Sequence, residues 1–195
     1  MSEIPAKGVR NREALVSAAA RLFWQRGFHG SSLADIAKSA GIPVGNLYYY
    51  FKTKSDVAHA VASGFAADTQ DMLDDIAAAS PDPHKRLSML AQRLAASQKA
   101  RMTHGCPVAA AVREFRTDAP AASAKAGEVF SLIAGFISAE SGRTGLRPAL
   151  ALVAGRSAVA EWQGGIVLGH ALSDAAAIAE SGRRLSRILG VQETR

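Results

Sequence analysis

Between Ser31 and Lys54 the chain reads SSLADIAKSAGIPVGNLYYYFKTK, in which the consecutive tyrosines Tyr48, Tyr49 and Tyr50 are followed closely by Lys52 and Lys54. Rings, an amide and ammonium groups on so short a segment suit the surface of a nucleic-acid duplex. Asn46 can pair with a base edge, and Gly45 permits close backbone approach. Tyrosine rings can meet thymine methyls while their hydroxyls reach phosphate. The two lysines lie just past the tyrosines, where Thr53 or Ser55 can cap a following helix and turn its N-terminal amides toward the same phosphates. The plainer reading is an aromatic core helix with a solvated basic end, but three adjacent aromatics cannot all face one core.

Two short helices must position these groups. Ser32 and Asp35 have the S-x-x-D spacing in which hydroxyl and carboxylate satisfy the free N–H groups of a helix start, so a helix is predicted from near Leu33. Leu33, Ile36, Ala37 and Ala40 recur at i, i+3, i+4 and i+7, and Gly41 follows where a left-handed cap is needed. Pro43 then suits a second helix start. Val44, Leu47 and Phe51 continue the inward face, leaving Gly45, Asn46, Tyr49 and Tyr50 outside. Upstream, Asn11 is the expected cap of a helix whose stripe of Leu15, Ala18, Ala19, Leu22 and Phe23 ends at Gly27 and clamps the reader. Trp24 and Phe28 are expected in or near the core.

The run GIPVGNLYYYFKTKSDV is similar to the G-x-x-x-x-x-L-Y-x-x-F-x-x-K signature of the TetR family of transcriptional regulators, and the resemblance extends upstream through NREALVSAAARLFWQRGFHGSSL. It covers the chain from Arg10 to Phe65. The resemblance implies DNA contacts at Ser32, Gly45, Asn46, Tyr48, Tyr49, Tyr50 and Lys54. Tyr50 departs from the pattern, standing where histidine is common in the family, which leaves base preference there open.

Charge agrees with this placement. Residues 1–54 hold eight Lys and Arg against three Asp and Glu, a net of +5, whereas the remaining 141 residues of the 195 hold fifteen against fourteen. The excess lies where phosphate is to be met, and binding is expected to weaken steeply with salt. A hydrophobic content of 48% is ample for a packed core. No apolar run approaches the ~20 residues of a membrane span, and Met1 to Arg10 precede no apolar signal region, so a cytoplasmic protein is expected. The single cysteine, Cys106, reads as a small buried apolar residue, with a redox sensor as the alternative.

Beyond Lys54, helical periodicity runs from Ser55 to about Ala79, with Val57, Val61, Phe65, Met72 and Ile76 inward. Asp68, Asp71, Asp74 and Asp75 read as a solvated face rather than a metal site, since no histidine accompanies them. Further helices are expected over 83–102, 107–115, 120–141, 147–170 and 173–189. The fold class is therefore all-α: a three-helix reader over 1–54, extending to about 68, joined by a long helix to a bundle within 55–195. The last two helices carry Leu150, Val153, Ala160, Trp162, Ile166, Val167, Ile178, Leu185, Ile188 and Leu189, more apolar surface than one small bundle needs. Either packing within the subunit or a two-fold partner covers it.

The resemblance favours the partner, implying a homodimer through the last two helices on an operator of double-stranded DNA. HGCPVAAAVREF and EWQGGIVLGHAL further resemble a TetR subgroup of flavonoid-responsive and multidrug-linked repressors. A small-molecule effector in the C-terminal bundle is then expected to release the operator. Met72, Met89, Phe115, Phe130, Phe136 and Trp162 are pocket-lining candidates, though residues of these types are more often plain core. No cofactor is expected. An α-helical enzyme would need His59, His84, His104 or His170 beside an acid or metal, and no catalytic or metal-binding spacing appears. An architectural DNA binder without effector is the third reading.

Overall fold

A computed structural model describes residues 6–95 and 98–191. In chain order its helices are α1 (Ala6–Arg26), α2 (Leu33–Ser39), α3 (Val44–Tyr50), α4 (Lys54–Ala79), α5 (Pro83–Ala95), α6 (Gln98–His104), α7 (Pro107–Glu114), α8 (Pro120–Arg143), α9 (Pro148–Leu172) and α10 (Ala175–Ile188). Among the described residues there is no strand, as an all-α chain requires. The helix expected over 83–102 is represented by α5 and α6, with residues 96 and 97 outside the described set.

The chain forms two compact units. The first comprises residues up to Ala66 together with Pro107–Gly127, and the second Ala67–Cys106 with Glu128–Arg195. The segment 107–127, which a linear division at residue 54 assigns to the second domain, thus belongs to the first unit.

In the first unit the predicted stripe of α1 is buried throughout, from Leu15 to Phe23, against Ile36 and Ala37 of α2, Leu47 of α3 and Val57 and Val61 of α4. Phe23, Phe28 and Phe115 meet edge to face, with centroids 5.1–5.7 Å apart. Pairs of this kind each contribute about 0.5–1.5 kcal/mol beyond area burial. Asn11 is not a cap. Helix α1 spans Ala6–Arg26, so Asn11 lies inside it.

In the second unit, α5 buries Leu87, Leu90 and Leu94, α8 buries Val129, Ile133 and Ile137, and α9, with Trp162 and Ile166 buried, packs on α10, which buries Ile178 and Leu185. Small residues set that last contact. A Cβ on Gly165 would run into Ser181, and one on Gly169 into Ile178. Ser173, expected at the start of the last helix, instead ends α9 with φ +54°, while Asp174 caps α10 by accepting from Ala176 N at 2.8 Å.

A buried ion pair ties α5 to α8 in this unit. Arg86 donates through Nε (2.7 Å) and Nη2 (2.5 Å) to Glu140 Oε2 and through Nη1 to Ser80 O, and Arg143 pairs with the second Glu140 oxygen. The carboxylate is 2% exposed, so these donors replace the water it has lost.

Candidate nucleic-acid interface

The reader is assembled from local signals. Ser32 Oγ accepts from Asp35 N at 3.1 Å while Asp35 Oδ2 accepts from Ser32 N at 2.9 Å, a complete capping box that starts α2. Hydrogen bonds from the Ser32 hydroxyl and then its N–H hold the Asp35 carboxyl below the usual carboxylate value. Ala40 is the C-cap of α2, and Gly41 takes φ +67°, the left-handed conformation that reverses the chain within three residues of α3. Thr53 and Asp56 repeat the device at α4: Asp56 Oδ2 accepts from Thr53 N at 2.8 Å and Lys52 N at 3.0 Å, and its own N–H donates to Thr53 Oγ1. The Thr53 N–H, before all other groups, holds the Asp56 carboxyl low.

Helix α3 is seated by two residues. Leu47 is fully buried and Phe51 nearly so. Burying a Leu side chain contributes about 1.5–3 kcal/mol, enough to dock a seven-residue helix that would not form alone. Helix α1 clamps it from behind. The Arg12 guanidinium lies 5.3 Å from the Phe51 ring centroid, and Arg21 Nη2 donates to Ser39 Oγ at 2.8 Å.

With Leu47 inside, Gly45 and Asn46 are exposed, as are Tyr48 (48%) and Tyr49 (80%). Tyr50 differs from expectation: it is half-buried, packed against the core and edge-on to Tyr49 at 5.2 Å, so it steadies Tyr49 from the core side. Val44, predicted inward, is 45% exposed. It is the first residue of α3, and the half-buried Ile42 takes the place on the core that the periodicity gave to Val44. The exposed face therefore joins an apolar methyl surface to the tyrosines.

Beside α3, a concave surface of about 580 Å³ brings Ser32, Tyr48 and Lys54 together with His29 and Asp35. Lys54 is more committed than its sequence position indicates. Its Nζ donates to Ser31 O at 2.9 Å and stands 4.2 Å from the Phe28 ring centroid, leaving two of three N–H groups for another acceptor. Lys52 Nζ donates to Tyr48 O at 2.7 Å and closes the C-terminus of α3. Sequence reasoning missed Glu114, which accepts from Phe28 N at 2.5 Å and so holds the turn between α1 and α2. A contact across 86 positions leaves no local signal.

The second unit holds a separate groove of about 610 Å³ between α8 and α9, lined by Phe130, Ser131, Ala134, Gly135 and Ser138 on one side and Leu152, Arg156, Val159, Ala160 and Gln163 on the other. Of the expected pocket residues only Phe130 lines it. Phe115 is core of the first unit, 1% exposed. Trp162 is 9% exposed, its Nε1 donating to Leu94 O at 3.1 Å and its ring facing Arg101 at 5.0 Å. Met72, Met89 and Phe136 are half-buried away from this lining. Periodicity marks a residue as inward without saying which interior it enters. Gln163 Nε2 is sealed from solvent with no hydrogen-bond partner, which costs about 1–3 kcal/mol. Asp68, Asp71, Asp74 and Asp75 are all exposed.

Residues 15–61 match the family model described as bacterial regulatory proteins, tetR family. The HTH-type transcriptional repressor KstR2 of Mycolicibacterium smegmatis is 36% identical over 63 residues, covering 32% of this chain and 31% of that protein. KstR2 of Rhodococcus jostii is 34% identical over 79 residues, covering 40% and 39%. The matched segments thus span about a third of these curated relatives. Among solved structures, a TetR transcriptional regulator from Legionella pneumophila superposes with a TM-score of 0.78 at 18% identity, covering 98% of this chain and all of that one. A TetR-family regulator from Streptomyces coelicolor gives 0.80 at 18% identity, covering 93% and 95%. No helix among the described residues is long and apolar enough to cross a membrane. The segment that builds the reader is thus similar to the tetR family of bacterial regulatory proteins over residues 15–61, and the chain has the fold of solved TetR-family regulators.

Proposed function

We propose that this chain is a sequence-specific transcriptional repressor that binds a palindromic operator as a homodimer and is released by a small-molecule effector. The observation that carries the reading is α3, whose buried Leu47 and Phe51 leave Asn46, Tyr48 and Tyr49 exposed beside a basic flank. A helix of that size and surface fits the major groove. In this reading Asn46 and Tyr49 read bases, Gly45 gives clearance, Ser32 and the free N–H groups of Lys54 hold phosphate, and Tyr48 and Tyr50 flank the contact.

Dimerisation through α9 and α10 is supported by an exposed apolar row on α9: Val153, Val167, Leu168 and Leu172 are 49–67% exposed, and the exposed Gly164 lies among them. A two-fold axis through this row would cover it and set two copies of α3 on half-sites about 34 Å apart. The effector acts to the extent that it binds the arrangement unable to meet both half-sites more tightly than the arrangement that can. The resemblance of the C-terminal segments to flavonoid-responsive and multidrug-linked repressors supports an amphipathic effector. A repressor acting on DNA places the protein in the cytoplasm.

The test is anisotropy titration of wild-type protein and Tyr49→Ala against a selected duplex and a scrambled one. Loss of at least tenfold in affinity for the selected duplex, with the scrambled one unchanged, supports the reading. Equal loss on both duplexes overturns base reading by α3.

A further inference from the structure

Beside Ser32 and Lys54, the concave surface next to α3 presents an imidazole, His29, that base reading and dimerisation leave unused. Its place is fixed by a tight turn rather than by its own packing. Glu114 accepts from Phe28 N at 2.5 Å, Ser31 Oγ donates to Gly27 O at 2.9 Å, and a Cβ on Gly30 would stand 2.4 Å from Arg26 O. The ring meets Phe28 edge on at 5.3 Å, and its Nδ1 stands 3.5 Å from Oδ2 of Asp118, which lies between α7 and α8 in the same unit. Both side chains are more than half exposed, so the pair contributes little to stability and acts chiefly on the orientation of the ring. With Nδ1 turned to a carboxylate, Nε2 is the nitrogen left for another acceptor, and no described residue takes it.

The charged groups around the ring come from several elements. Asp118 faces Nδ1, Asp35 of α2 and Lys54 of α4 share the concave surface with Tyr48 of α3, and Arg26 at the end of α1 acts on Asp35. These two cations offset these two carboxylates, so protonation of His29 decides whether the patch is cationic. We propose that His29 is a further phosphate contact, donating from Nε2 of the protonated ring to the operator backbone beside Ser32 and Lys54. The contact rests on the DNA reading of α3 and carries no base information, since it meets the backbone alone.

The test is anisotropy titration of the intact chain against the selected and scrambled duplexes at about pH 8 and about pH 6, between which imidazole changes charge. Wild-type affinity for both duplexes rises about two- to fivefold at the lower pH, and the salt slope steepens by up to about one. His29→Gln loses both changes and keeps its preference for the selected duplex. His29→Lys, charged at both values, binds at the higher pH with the affinity and slope that wild type reaches at the lower. A pH-dependent rise that survives in His29→Gln, or a His29→Lys protein that binds no better than His29→Gln, overturns the contact and leaves the ring as a surface partner of Asp118. Wild type that binds the duplexes with no pH effect overturns the contact and leaves the DNA reading standing. Wild type that binds neither duplex overturns both.

Discussion

Lys54 ties the start of α4 to the turn before α2, so Lys54→Met is predicted to loosen the reader rather than merely remove a charge. Methionine keeps the stem that covers Phe28 and deletes the ammonium. The Ser31 carbonyl, in a residue 3% exposed, then loses its donor at 2.9 Å. A hydrogen bond from a charged group contributes about 1.5–3 kcal/mol, and the ammonium over the Phe28 ring at 4.2 Å adds about 0.5–1 kcal/mol. A loss of about 2–4 kcal/mol follows, which lowers the urea midpoint by roughly 1–2 M at the m-value of a protein this size. Chain concentration is held fixed, because the proposed dimerisation would shift the midpoint. Amide exchange on α2 and α3 rises in the same variant, and duplex affinity falls on selected and scrambled sequences alike. An unchanged midpoint with a salt slope reduced by about one refutes this reasoning, since Lys54 would then serve phosphate alone.

Arg86→Met leaves the Glu140 carboxylate buried with only the exposed Arg143 beside it; a loss of about 3–5 kcal/mol is expected in urea unfolding, and the double variant with Glu140→Leu recovers most of it. Asp35 and Asp56 both have depressed carboxyl values, so their contribution is present above the ordinary carboxyl value of about 4 and is lost as pH falls through the lower folded value. Asp35→Asn should therefore be less stable than wild type at neutral pH and show a flatter acid limb below the ordinary carboxyl value of about 4; an unaltered limb counts against the capping box. Val167→Glu places a charge in the exposed row of α9, and sedimentation should show monomers where wild type gives dimers; a variant that stays dimeric puts the interface elsewhere.

The reader was legible because its determinants are local. The Ser32–Asp35 box, Gly41 and the spacing of Leu47 and Phe51 act within a few residues, and each does in the fold what its chemistry dictates. Errors arose where tertiary context intervened. Period places Val44 inward, but this first residue of a two-turn helix is exposed. Asn11 has the chemistry of a cap, yet it lies inside α1, which already runs from Ala6. Phe115, a pocket candidate that the sequence also allows as plain core, is core of the first unit, and only packing against Phe23 and Phe28 decides which interior it enters. The Arg86–Glu140 pair spans 54 positions and the groove between α8 and α9 is a property of two surfaces, so neither leaves a trace in one dimension.

The central claim is that the exposed face of α3 reads duplex DNA in pairs of half-sites. Its most direct test is selection of bound sequences from a random duplex pool by the purified protein at moderate salt. The account predicts an enriched two-fold-related pair of half-sites spaced by about one helical turn or a multiple of it, with enrichment abolished by Tyr49→Ala. A pool that returns unenriched from wild-type protein, alongside no duplex binding at low ionic strength, contradicts it.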